Sequence, residues 1–277
     1  MYQQHRPSNF SNFPPVVKNL LIINGLCFLA NIVLDSRGIY DMNQHLGLYY
    51  PESTFFRPYQ FITHVFMHGS FTHLLFNMFS LWMFGSTLEN YWGPKRFFIF
   101  YFVTAFGAAL LHLGVNAYEI HQIKANISLF AANPDYDTFF GIIQKDAFFA
   151  NDLHVADFLT EWKANPNNPD YVAGAKQITE FLLLKKLNIP VVGASGAVFG
   201  LLLGFGMLFP NTQLLLLFFP FPIKAKYFVM LYGGLELYQG IQSNPGDNVA
   251  HFAHLGGMLF GFILIKIWNK SNRKNFY

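Results

Sequence analysis

Residues 191–209 read VVGASGAVFGLLLGFGMLF: nineteen positions without a charge, with glycine recurring at 196, 200 and 204. About twenty apolar residues in a helix cross the roughly 30 Å hydrocarbon core of a bilayer. Small residues at every fourth position fall on one helix face and let a second backbone come close. The run therefore reads as a buried membrane span built for tight packing. Its one polar side chain, Ser195, stands at its start between Gly193-Ala194 and Gly196.

Five other runs share this character: about 16–34, 73–91, 97–115, 225–240 and 250–268. The fifth is the least regular, because Pro220 and Pro222 interrupt the apolar stretch Leu214 to Phe221 ahead of it. The last carries its own stripe of small residues, Ala253, Gly257 and Gly261. Composition agrees. Charged residues are 12% of the 277 and hydrophobic ones 53%, about half the charge that covers a soluble domain. An ordinary cytosolic enzyme is not expected, and a disordered or collagen-like chain is excluded. The single cysteine, Cys27, excludes a disulfide framework and a cysteine zinc site. A net charge of +3 without a basic stripe gives no reason to expect a nucleic-acid partner. The polar, aromatic N-terminal stretch is followed by no small-residue cleavage site, so the first run reads as an anchor. The expected fold is all-α: a polytopic membrane protein of six transmembrane helices.

Lysines and arginines set its orientation. Arg6 and Lys18 precede the first run, Lys95 and Arg96 join the second to the third, Lys224 and Lys226 join the fourth to the fifth, and Lys266, Lys270, Arg273 and Lys274 follow the sixth. Six crossings put all four groups on the cytoplasmic side, with both termini. The opposite side receives 35–72, 116–190 and 241–249. The chain divides accordingly into an N-terminal segment 1–15, three spans in 16–115, an insertion 116–190, three spans in 191–268 and a tail 269–277. The insertion holds nine acids against six lysines, punctuated by Asn-Pro at 133–134, 165–166 and 168–169. Its amphipathic stretches Phe139–Phe149, Leu153–Trp162 and Tyr171–Leu187 predict two or three short helices on the outer surface.

Three polar clusters interrupt the apolar background, and ionisable groups at membrane depth are expensive enough to mark function. In the first, His68 precedes His73 and Asn77, four residues apart on one helix face. The second is Gly193-Ala194-Ser195-Gly196, where glycines flank a serine at a helix start whose free N–H groups favour developing negative charge. Ala197 stands where the second glycine of the soluble hydrolase motif G-x-S-x-G would be. The third is His251-Phe252-Ala253-His254. Ser195 adjoins one small-residue stripe and His254 the other. Close contact of those two spans brings a hydroxyl and an imidazole together, as nucleophile and base require. Neither Glu236 nor Asp247 has the spacing of an acid that orients His254, so a Ser195–His254 dyad is expected. The Ser195 N–H, His73 and Asn77 are expected to stabilise the oxyanion, with His68, Gly193 and Gly196 lining the site. H-E-x-x-H is absent and no span carries a central Asp, so neither a metal nor an aspartyl mechanism is expected. The chemistry needs water, which predicts an outward-opening cavity lined by His68, His73, Asn77 and His254.

These pieces, with Arg57 in the first outer loop and Ala253-His254-Leu255-Gly256-Gly257 in the sixth run, resemble the rhomboid family of intramembrane serine proteases. They come in the family's order over roughly 15–115 and 190–268. The resemblance implies an endopeptidase with Ser195 as nucleophile, His254 as base, and His73 and Asn77 in the oxyanion hole. It also implies Phe199 packed against the histidine. No cofactor is implied. The implied partners are the lipid bilayer and single-pass membrane proteins, cut in or near their spans and entering past the fifth span and the 241–249 loop. A six-span plan of this kind fits a bacterial cytoplasmic membrane. The alternative is a catalytically inactive relative that binds or escorts membrane clients. Two features depart from the family: Phe56 stands where tryptophan usually precedes the arginine, and 116–190 is much longer than the usual connection.

Overall fold

The computed structural model describes residues 11–216, 219–242 and 249–274. Arg6, Asp247 and most of the 241–249 loop lie outside them. The first helix, α1 (Pro15–Ser36), begins at a proline, where the missing N–H costs nothing. Its next two N–H groups, of Val16 and Val17, donate to the carboxylate of buried Glu89 at 3.0 and 2.8 Å. An anion at a helix N-terminus meets the positive end of the dipole, which accounts for this buried acid. The connection that follows holds α2 (Met42–Leu46), α3 (Gln60–Thr63) and a 3₁₀ turn, His64–Phe66. The second predicted span is α4 (Phe71–Ser80), a π turn Leu81–Gly85, and α5 (Ser86–Trp92). Gly93, at φ +81°, then turns the chain into Pro94, the first residue of α6.

The third predicted span ends at 115, but α6 (Pro94–Ala132) runs seventeen residues further. Polarity rises after 115 without any breaker until Asn133-Pro134, so hydropathy falls before the helix ends. Beyond it come α7 (Tyr136–Ile143), α8 (Ala147–Ala150), α9 (Leu153–Ala164) and α10 (Pro169–Leu187). The acids that mark this segment by composition start its helices: Asp135, Asp146 and Asp152 each accept from backbone N–H groups of the first turn, as does Asn168. These helices enclose a core of Phe130, Phe139, Ile142, Ile143, Phe149, Val155, Trp162 and Leu182.

The fourth, fifth and sixth runs become α11 (Ser195–Leu208), α12 (Ala225–Gln242) and α13 (His251–Lys274). Between α11 and α12 the described residues form no helix. Gln213–Leu216 (β1) and Phe219–Lys224 (β2) pair antiparallel, Gln213 against Lys224 and Leu214 against Ile223. This hairpin is a small non-helical element in a chain that is otherwise mostly helical, as expected. Pro220 and Pro222 have no N–H for a helix ladder, and the extended backbone accommodates them. By length and composition, α1, α6 and residues His251–Lys270 can each cross a membrane, while α11 is apolar but shorter.

The two glycine stripes expected to pair do meet, but a third helix shares the contact. A Cβ on Gly257 would lie 1.8 Å from the Gly196 carbonyl oxygen, and one on Gly261 3.4 Å from that of Gly200. The open sides of the α11 glycines face α6 instead: Gly196 abuts Ala108, Gly200 Thr104 and Gly204 Phe100. So α11 is wedged between α6 and α13 at backbone distance, with Leu201, Leu202 and Phe205 in the main core.

Candidate active site

Ser70 starts α4 by accepting the His73 N–H on its side chain, which puts His73 and Asn77 on successive turns of one face. That face meets the strand leading into α11. Leu48 and Val191 exchange both backbone hydrogen bonds, and the Gly193 N–H donates to the His64 carbonyl at 2.9 Å. Gly193 takes φ +122°, a conformation L side chains avoid. A Cβ there would lie 2.8 Å from His73 Nε2 and 3.8 Å from Asn77 Nδ2. The missing side chain thus admits two polar groups over the backbone two residues before Ser195. Asn77 Nδ2 is buried and has no hydrogen-bond partner among the described residues. A buried donor left open needs an explanation, and this one faces the start of α11. Because the Gly193 N–H is spent on His64, the N–H groups left for an anion are those opening α11, beginning with Ser195.

His68 lies behind His73, ring centroids 5.1 Å apart, and both its ring nitrogens are buried without partners among the described residues. Burial pushes its imidazole down to about 4, so it is neutral at pH 7.

His254 opens the second turn of α13, and the Gly257–Gly196 contact fixes that turn over the start of α11. Its ring lies flat on Phe199, centroids 4.1 Å apart and planes within 9°. Phe199 is one helical turn after Ser195 and on the same face, so the stacked ring overhangs the serine's side of α11. Among the described residues Ser195 Oγ forms no hydrogen bond, including to His254; catalytic contacts of this kind often close only when substrate is bound. His68, His73, Asn77, Gly193, Ser195, Phe199 and His254 are thus gathered about one helix start. Gly196 is committed to packing, with Ala108 on one side and Gly257 on the other.

No acid was expected within reach of His254, and one is found there. Glu236, buried in α12, accepts from His254 Nδ1 at 2.8 Å and from His251 Nδ1 at 2.7 Å through the same Oε2. Spacing along one helix cannot reveal a partner on another. The available signal was chemical: a carboxylate inside an apolar run must find donors, and His251 and His254, three apart, present two on one face.

A cavity adjoins the site. It is of about 570 Å³ and opens between the extension of α6, α10 and the junction of α12 with α13, lined by His112, Lys186 and His251, but by none of His68, His73, Asn77 and His254.

The rhomboid domain family matches residues 56–124 and 171–270, passing over 125–170 within the α6–α10 insertion. Rhomboid-like protein 11, chloroplastic, of Arabidopsis thaliana is 34% identical over 115 residues, which are 40% of this chain and 39% of that protein. The chain therefore spans about two fifths of the length of the curated relative it matches. With the family's matched blocks covering both the α4–α6 and the α10–α13 halves of the site, the chain belongs to the rhomboid family.

Proposed function

We propose that the protein is an intramembrane serine endopeptidase that cleaves single-pass membrane proteins in or near their spans. His254 takes the proton of Ser195 Oγ as that oxygen attacks the scissile carbonyl. The oxyanion is received by the Ser195 N–H, His73 and Asn77, and His254 returns the proton to the leaving amine. Water then repeats the cycle on the acyl-enzyme. One observation carries the reading: the His254 ring is stacked on Phe199, one turn from Ser195, while two polar side chains converge on Gly193 from the other side. The family match supports it. Six crossings with both termini in the cytoplasm, as the Lys and Arg distribution suggests, would put this site toward the outer leaflet.

The test is cleavage of a single-span substrate carrying small residues at the cut, by the purified chain in vesicles. Ser195→Ala is expected to abolish it, since removing a serine nucleophile elsewhere costs about 10⁶ in kcat. Cleavage that survives the substitution would reject the serine mechanism. A folded wild-type chain that binds the substrate and never cuts it would favour the inactive, client-binding alternative.

A further inference from the structure

Glu236 is 8% exposed, in a helix whose neighbouring positions are apolar, and one of its oxygens meets two imidazoles. An ionised carboxylate only accepts hydrogen bonds, so each Nδ1 facing it carries the proton. In a neutral His254 ring, Nε2 is then the free acceptor. The flat contact with Phe199 fixes the plane of the ring but is indifferent to a 180° flip within it. The Nδ1–Oε2 bond at 2.8 Å is not indifferent, because the flip would replace Nδ1 with a carbon.

We propose that Glu236 is a positioning residue for the base: it holds His254 as the Nδ1–H tautomer with Nε2 turned toward Ser195, and it stabilises the imidazolium formed during attack. This rests on the serine-protease reading. In the step itself the Ser195 O–H bond breaks as an Nε2–H bond forms, while Glu236 stays ionised and takes no proton. His251, one turn away on the same face of α13, shares the oxygen and keeps the carboxylate from rotating off.

The same three groups invite comparison with a metal site, since their ligand atoms lie within 4.8 Å of one another. As they stand, the nitrogens are 2.7 and 2.8 Å from the oxygen, the spacing of charge-assisted hydrogen bonds, which is the arrangement the positioning role uses.

The experiment compares wild type, Ser195→Ala, Glu236→Gln and His251→Gln in the vesicle cleavage assay, with kcat and KM separated and folding followed by thermal unfolding. Wild-type cleavage lost in Ser195→Ala secures the reading on which the inference depends; without it, the reading fails and not the positioning role. Loss of the acid from a serine triad costs about 10⁴ in kcat. With Phe199 still holding the ring, Glu236→Gln is expected to lose about 10²-fold in kcat, KM changing less than about twofold. His251→Gln should lose less. A folded Glu236→Gln with unchanged kcat overturns the proposal, as does a loss confined to KM. Nitrogen-15 NMR of the histidines in the wild type decides independently of whether any variant folds. A His254 signal protonated at Nδ1 is expected, and one protonated at Nε2 overturns the assignment. Cleavage abolished by a chelator and restored by zinc would overturn it in favour of a metal.

Discussion

The spanning core and the α6–α10 insertion are both helical, yet they are held together by opposite means. In the core, α6, α11 and α13 touch through glycines: Gly196, Gly200, Gly256 and Gly257 leave no room for a side chain. In the insertion, large rings fill the space between helices, with Phe139, Phe158 and Trp162 in mutual contact and Phe130 against Phe139. Lipid offers no hydrophobic drive between helices, so close backbone packing has to supply the attraction. Water does drive rings together, and it rewards the acid caps that start α7, α8 and α9. The difference bears on function, because only backbone-distance packing can put His254 of one helix over the first turn of another.

That contrast can be broken from either side. The largest effect is expected for Gly257→Leu. Its Cβ would fall 1.8 Å from a backbone oxygen that no rotamer change can move. No rotamer relieves the clash, so the whole α11–α13 contact must open, and the loss goes well beyond the about 1–3 kcal/mol of ordinary core overpacking. Thermal unfolding in detergent micelles should show no cooperative transition at the wild-type temperature, and cleavage should vanish. Next comes Trp162→Ala, which empties the insertion core at a residue 2% exposed. Here about 3–5 kcal/mol of local stability is expected to go. Hydrogen exchange should speed up across 136–187 and leave α11 and α13 as they were. Equal acceleration in α11 would mean that the two regions fold as one unit.

The smallest effect concerns a cap. Hydrogen bonds from Thr138, first its backbone N–H and then its hydroxyl, hold the Asp135 carboxyl below the usual carboxylate range. A group with a depressed folded value stabilises above its unfolded pKa and loses that contribution as pH falls through the folded one. Asp135→Ala should therefore weaken α7 by about 0.5–1 kcal/mol at neutral pH, the low range for an exposed cap. The penalty should fade in acid. Exchange rates of the α7 amides at two pH values check it, and a penalty independent of pH would show that charge plays no part.

Much of the site was legible because its pieces are local. His73 and Asn77 declare a shared face by spacing alone, and Ser195 and His254 each adjoin a small-residue stripe. What stayed hidden was relational. The stripes announce close packing but not that α6 takes the open side of Gly196, Gly200 and Gly204. Glu236 lies 15 and 18 residues from the histidines it meets, on a different helix, so no periodicity connects them. The hairpin from Gln213 to Lys224 and the long run of α6 were masked by hydropathy, which records solvent preference and not where a backbone ladder stops. Asp135, Asp146 and Asp152 registered as charge, although each works as the first hydrogen-bond acceptor of a helix.

The central claim is that the α11–α13 contact makes Ser195 reactive through His254. Labelling with a fluorophosphonate, followed by mapping of the modified peptide, tests it most directly. The adduct should sit on Ser195 in the wild type, disappear in His254→Ala, and form more slowly in Glu236→Gln. An adduct that forms on Ser195 at the same rate without the imidazole, or a wild type that cleaves substrate while Ser195 stays unmodified, would contradict the claim.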